Sequence, residues 1–159
     1  MDEFSRTRLL IGEAAVDKLQ HSSVLLFGVG GVGGFVAEAL ARSGVGSITL
    51  VDNDRVSLTN LNRQIIALHS TIDRYKTEVM KERILDINPK ANVEIYNCFF
   101  LPENADQFDF KKYDYVVDAV DTVTAKIEII MQAEYAGIPV ISSMGAGNKL
   151  NVAGFQIAD

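Results

Sequence analysis

The sequence predicts a sheet of parallel strands covered by helices on both faces. Three observations predict it. Short apolar runs alternate with stretches of helical periodicity, the runs are nearly unbroken in their hydrophobicity, and glycine or polar clusters follow them directly. Strands buried on both faces read as continuous apolar runs, and crossover helices join parallel neighbours. With glycines spaced G-x-G-x-x-G after the first run, the expectation sharpens to a Rossmann-like, mostly parallel α/β sheet preceded by an N-terminal helix.

Residues 4–20 read as that leading helix. "SSVLLFG" (22–28) reads as a buried strand ending in glycine. From 32 to 43, Val32, Val36, Ala39 and Leu40 share one side of a helix that Gly44 stops. "SITLVD" (47–52) reads as the second strand. Residues 73–87 predict a helix that starts near Asp73 and ends before Pro89. "NVEIYN" (92–97) and "YDYVVDA" (113–119) read as strands. "TVTAKIEIIMQAEYA" (122–136) reads as a helix closed by Gly137 and Pro139, "PVISS" (139–143) as a strand, and "NVAGFQIAD" (151–159) as another. With no repeats, linkers or low-complexity tracts, residues 1–159 are expected to form one domain.

A formal charge of −6, from 15 Lys and Arg against 21 Asp and Glu, does not suit a general nucleic-acid binder. Such a protein displaces phosphate counterions with a basic surface, so any RNA partner would meet a local patch. Cys98 is the only cysteine, which excludes an internal disulfide and a cysteine-rich zinc site. It follows a strand with no histidine in view and reads as structural; His21 and His69 read as surface or local positions. The start "MDEFSRTRLL" is too polar for a signal peptide, and no apolar run reaches membrane-spanning length. A reducing cytoplasm, without membrane attachment, is the expected setting.

In a sheet of this kind ligands bind beyond the carboxyl ends of the strands. Four polar or glycine-rich clusters lie at such ends: 28–34, 52–62, 118–121 and 142–148. They are expected to converge on one crevice. Gly28, Gly30 and Gly33 let the backbone turn tightly and approach a phosphate, while the helix end behind them offers free N–H groups. Asp52, 19 residues after Gly33, stands where an acid meets a ribose hydroxyl pair. An acid there also disfavours the additional phosphate of NADP. Loop and acid together point to a ribonucleotide and leave NAD and ATP both open.

The basic residues favour ATP. A dinucleotide has two phosphates, which the loop and helix end largely satisfy, whereas a triphosphate brings more negative charge and usually a metal. Arg63 lies just past the second strand, and Lys76 in the first turn of the next helix. Lys76, Met80, Ile84 and Ile87 fall on one line of that helix, so Lys76 shares its inward face. A cation in a first turn opposes the helix dipole at about 0.3–1 kcal/mol. An anion waiting at that helix end explains it; the alternative is a side chain that snorkels to water. Asp121 suits magnesium, which takes one or two carboxylates with phosphates and waters; the alternative is that it caps the following helix.

"GVGGVGG", "VDNDRVSLTNLNRQ", "DRYKTEVMKERILDINP", "DAVDTV" and "GIPVISSMGAG", in this order, resemble the motifs of the ThiF and MoeB family of adenylating enzymes, relatives of ubiquitin-activating enzyme. Within it, the opening "FSRTRLLIGEAAVDKL" and the spacing throughout are most similar to the tRNA threonylcarbamoyladenosine dehydratases. The resemblance runs from about Phe4 to the last residue. It implies that Gly28, Gly30, Gly31 and Gly33 hold the nucleotide phosphates and that Asp52 binds the ribose, with Asp54 beside it at the nucleotide. It implies that Asn60, Arg63 and Lys76 contact the triphosphate and that Asp121 holds magnesium. Arg6, six residues before Gly12, would reach into the neighbouring subunit's site in a homodimer, with Arg8 as the alternative register. ATP and magnesium are the implied cofactors.

The implied reaction is adenylation. A carboxylate attacks the α-phosphate of ATP and becomes a mixed anhydride, which a nucleophile opens. Arg63, Lys76 and Arg6 would serve it by positioning anions and neutralising charge. In the dehydratases the carboxylate belongs to threonylcarbamoyladenosine in tRNA; its own carbamoyl group closes a ring, water is lost, and no enzyme thiol is needed. The alternative acceptor is the C-terminus of a ubiquitin-like sulfur carrier, with a carrier or sulfur-transfer partner. Family members continue past "NVAGFQIAD", so the chain is expected to be truncated on its C-terminal side. Two other classes stay in view. An NAD-dependent oxidoreductase would use the same loop and Asp52 but leaves Arg63 and Lys76 without a role, and a non-catalytic nucleotide-binding domain suits a short chain.

Overall fold

The fold was determined as a computed structural model, which describes residues 2–145, 147 and 150–159. Five strands form one sheet: β1 (Ser23–Phe27), β2 (Ser47–Val51), β3 (Asn92–Tyr96), β4 (Tyr115–Asp118) and β5 (Val140–Ser142). All pairs are parallel, in the order β3-β2-β1-β4-β5. At the carboxyl end of β1, Phe27 stands beside Val51 of β2 on one side and Asp118 of β4 on the other. The chain winds outward from β1 in both directions, and the strand ends flanking β1 open the crevice where such sheets bind ligands.

The unbroken apolar runs are explained by burial on both faces. Val24 and Leu26 of β1 pack into one core, with Ile48, Leu50, Ala37, Val79, Met80 and Ile84. Leu25 and Phe27 pack into the other, with Val51, Val116, Ala125, Ile129 and Ala133. The first core is covered by α3 (Gly33–Ser43) and α4 (Lys76–Ile87), the second by α5 (Val123–Ala136) and short 3-10 turns at Pro102–Gln107 and Phe110–Lys112. Those turns bring Phe100, Phe108 and Phe110 to within 4.6–5.8 Å of Phe27, ring centre to ring centre.

Three expectations are corrected. The leading helix is two helices, α1 (Ser5–Ile11) and α2 (Glu13–Gln20), because Gly12 between them has φ of +86°, which no helix accommodates. The helix expected from Asp73 starts at Lys76. Asp73 lies in the left-handed region with φ of +66°, and 73–75 instead runs beside 54–56, Asp73 N–H bonding the Val56 carbonyl and Val56 N–H the Arg74 carbonyl. The strand expected over 151–159 is absent from the described residues, which form a 3-10 turn at Val152–Gly154. Asn151 Oδ1 accepts from Ala153 N–H there, a local bond that competes with a strand ladder. None of the described helices is long and apolar enough to cross a membrane.

Candidate functional site

The chain leaves β1 at Gly28, whose φ is +87°. A Cβ there would stand 2.7 Å from the Ala119 carbonyl oxygen, on the turn leaving β4. Gly33 opens α3, and a Cβ on it would overlap the Gly28 carbonyl oxygen. Two residues without side chains therefore let α3 sit directly on the end of β1, with its N-terminus at the strand end. Gly30 and Gly31 have more room. The atoms nearest to a Cβ on each are Gln64 Nε2 at 3.8 Å and Arg63 Cγ at 3.7 Å.

Asp52 follows β2 at the same end of the sheet. Its Oδ2 accepts from Val29 N–H at 2.7 Å and its Oδ1 from Asp54 N–H at 2.8 Å, which fixes the carboxylate against the glycine loop. Burial pushes its pKa above the usual carboxylate range, opposed by those two N–H groups and by the Lys76 charge. Each oxygen keeps a lone pair, as two ribose hydroxyl donors require.

Lys76 is the first residue of α4 and is 5% exposed, so it does not snorkel to water. Its Nζ donates to Asp54 Oδ2 at 2.6 Å and its N–H to the Asp54 carbonyl at 3.0 Å. The anion anticipated at this helix end is thus Asp54, whose own side chain is 55% exposed. Arg63 is exposed and lies over Gly31, donating from Nη1 to the Thr59 carbonyl (3.1 Å) and to Asn62 Oδ1 (3.0 Å). Asn60 is buried, and its Oδ1 accepts from Ser57 N–H at 3.0 Å, closing the 3-10 turn Leu58–Asn60. That turn-holding role was not foreseen from the sequence. Gln64, which ends the motif "VDNDRVSLTNLNRQ" but has no role of its own in the sequence reading, is buried beside Gly30.

Across β1, Asp118 is fully buried at the end of β4. It accepts from Lys126 Nζ at 3.0 Å, from Val120 N–H at 3.1 Å and from the Ser142 hydroxyl. Lys126 is 7% exposed and also donates to the Ser143 carbonyl at 2.6 Å, so the pair joins β4, α5 and the exit of β5. Sequence reasoning gave Lys126 no role. Of the fourth cluster, Ser142 and Ser143 stand here, whereas Ala146 and Asn148 lie outside the described residues. Asp121 is exposed, and its capping alternative is not realised: the cap of α5 is Thr122, with no side-chain cap bond. The described residues contain no cluster of three or more His, Cys, Asp or Glu suited to a metal. A lone carboxylate fits a cation that draws its other ligands from phosphates and water, as magnesium does.

The N-terminal arginines differ. Arg8 is held by Asp2 and Glu13, whereas Arg6 is exposed on α1 and, among the described residues, bonds none of the crevice. Cys98 is half-buried, and burial pushes its thiol pKa up, which disfavours the thiolate a nucleophile needs. His21 bonds the Asp17 carbonyl on its own helix end, and His69 is exposed in a 3-10 turn.

Glycine loop, strand-end acid and flanking cations on a doubly wound parallel sheet define a nucleotide-binding α/β domain. Residues 4–157 match the ThiF family, and the chain belongs to that family. The tRNA threonylcarbamoyladenosine dehydratase of Bacillus subtilis (strain 168) is 50% identical over 159 residues, which are 100% of this chain and 63% of that protein. The crystal structure of E. coli tRNA N6-threonylcarbamoyladenosine dehydratase in complex with ATP aligns with a TM-score of 0.95 at 41% identity, over 99% of this chain and 65% of that one. The adenylyltransferase and sulfurtransferase UBA4 of Vanderwaltozyma polyspora is 37% identical over 141 residues, 87% of this chain and 32% of its own length. The chain spans less than two thirds of the length of these relatives.

Proposed function

We propose that this chain is the nucleotide-binding part of an ATP-dependent adenylating enzyme, and that the carboxylate it activates is that of threonylcarbamoyladenosine in tRNA, for cyclising dehydration. The observation that carries the ATP reading is Lys76: a buried ammonium at the edge of a nucleotide crevice, paired with a carboxylate that is itself half in water. A triphosphate oxygen can replace Asp54 as its partner while Asp54 returns to solvent, whereas the two phosphates of NAD are largely satisfied by the glycine loop and helix end. The dehydratase relative at 50% identity supports the acceptor, and the ATP complex of the E. coli enzyme supports the ligand.

In this reading Asp52 accepts from the ribose hydroxyls and the loop Gly28, Gly30, Gly31 and Gly33 receives the phosphates. Arg63, Lys76 and Asn60 contact the triphosphate, with Asp54 as the partner that Lys76 exchanges. Asp121 holds magnesium, which neutralises phosphate charge when bound. The attacking carboxylate and the phosphate are both anions, so these cations lower the barrier by reducing their repulsion. Arg6 completes the site of a second subunit in a homodimer. Mixed dimers of Arg6→Ala and Lys76→Ala subunits then regain one intact site, and no recovery in verified mixed dimers removes Arg6 from it. A tRNA-modifying role suits a cytoplasmic setting, which the dehydratase relatives support. Activation of a sulfur carrier is the second reading, favoured by the UBA4 relative.

Calorimetric titration with Mg-ATP, ATP without magnesium, and NAD tests the ligand. Hydrogen bonds to charged groups contribute about 1.5–3 kcal/mol, so one such contact gives Mg-ATP at least a tenfold preference, with ~1.4 kcal/mol per factor of ten. Tighter binding of NAD, or ATP binding indifferent to magnesium, returns the chain to the dehydrogenase reading.

A further inference from the structure

We infer that the Gln64 carboxamide is a phosphate ligand, donating from Nε2 to a phosphate oxygen held by the glycine loop; this rests on the nucleotide reading above. Gln64 is more than nine-tenths buried, in the segment between β2 and α4. Its backbone is satisfied: its N–H bonds the Asn60 carbonyl at 2.9 Å, and its carbonyl accepts from Ala67 N–H at 3.0 Å. Its side chain is not. Among the described residues Oε1 is the only buried side-chain polar atom without a hydrogen-bond partner. Nε2 is the atom nearest to a Cβ built on Gly30, so the donor end of the amide faces the glycine loop.

The fold alone gives no reason for an amide at this position. An acceptor taken out of water without a partner destabilises the folded chain, and an apolar side chain of the same size would avoid that loss. The amide does supply N–H donors beside a loop already suited to phosphate. Burial holds the side chain in place, so a bond from it to a ligand forfeits little rotamer freedom. Asn60, the neighbouring buried carboxamide, makes the contrast: its oxygen already holds Ser57 N–H. Gly30 keeps the path open, since a side chain extending beyond Cβ would stand between the amide and the loop.

Gln64→Leu keeps most of the volume and removes both polar atoms. Its affinities for Mg-ATP and for adenosine are measured by calorimetry, together with the thermal midpoint. The expected result is about a tenfold loss for Mg-ATP, equivalent to ~1.4 kcal/mol, an unchanged adenosine affinity, and a midpoint that is unchanged or higher. Gln64→Glu, which presents a negative acceptor, loses more Mg-ATP affinity than Gln64→Leu and keeps adenosine. An unchanged Mg-ATP affinity in Gln64→Leu, or an equal loss for both ligands, overturns the assignment. A lowered midpoint with an unchanged ratio of the two affinities makes Gln64 structural and overturns it too. Tighter binding of NAD than of Mg-ATP by the unsubstituted chain overturns the nucleotide reading instead, so the two failures are told apart.

Discussion

Lys76 with Asp54 and Lys126 with Asp118 stand on opposite sides of the β1 strand end, and the two lysines are almost equally buried. Their partners are not. Asp54 has more than half its side-chain surface in water, while Asp118 has none. Around Asp118 every charge is answered from within: Lys126, Val120 N–H and the Ser142 hydroxyl serve the carboxylate, and the Ser143 carbonyl takes a second ammonium proton. Around Asp54 the answer is provisional, because that carboxylate can return to solvent at little loss when another anion reaches Lys76. The use of a buried lysine is told by the exposure of its partner.

Removing one lysine at a time separates the two cases. Lys126→Met leaves Asp118 buried and uncompensated, and a stability loss of about 3–5 kcal/mol is expected in urea denaturation. A loss under about 1 kcal/mol would mean that Asp118 finds another partner. Lys76→Met leaves only an exposed carboxylate behind, so its main effect falls on the ligand: a loss of about 1.5–3 kcal/mol in Mg-ATP binding, with adenosine binding kept. A stability loss exceeding the binding loss would erase the distinction between the pairs.

Asp54→Asn sharpens the comparison. The free chain should lose about 1 kcal/mol, since Lys76 keeps only a neutral acceptor. Saturating Mg-ATP should then raise the thermal midpoint by more than it does in the unsubstituted chain; an equal rise would mean that Lys76 does not change partner. The smallest effect is expected where the cationic partners stay in water: Arg42 and Arg83 keep 60% and 37% of their side-chain surface exposed, although Glu38 keeps 12%. Glu38 joins Arg83 of α4 to Arg42 of α3, and Arg83 first, then Arg42, hold its carboxyl below the ordinary value of 4.5. A carboxyl depressed in the folded state contributes stability above its unfolded value and loses it as pH falls through the folded one. Glu38→Gln should therefore change stability by less than about 1 kcal/mol at neutral pH and flatten its decline in acid; an unaltered acid limb would assign that decline elsewhere.

The sheet and one bank of the crevice are legible in the sequence. Runs such as "SVLLF" bury both faces, and the loop glycines, Asp52 and Lys76 sit at spacings that backbone geometry imposes. The other bank is legible only as the polar clusters that follow β4 and β5; the lysine that joins them is not. In α5 the apolar residues Val123, Ile127, Met131 and Tyr135, four apart, are exposed, while Lys126 faces the sheet with Ala125, Ile129 and Ala133. Hydrophobic spacing reads this helix inside out, because small residues let it lie close to the sheet and the lysine is there for Asp118. The start of α4 was misplaced for a different reason: a non-glycine residue in the left-handed region, Asp73, leaves no mark in a hydrophobic pattern. The gathering of Phe100, Phe108 and Phe110 around Phe27 depends on irregular turns and has no period to read.

Because Gly28 lies against the Ala119 carbonyl and Gly33 against Gly28, the loop cannot swing open without lifting α3 off β1. The backbone of the glycine loop is therefore already set in the free chain. If the loop receives the phosphates as proposed, no loop opening precedes binding, and the observed association rate should climb linearly with nucleotide concentration. On the same proposal, the slow step is the exchange at Lys76, and Asp54→Asn, which weakens the returning partner, should lengthen the residence of Mg-ATP.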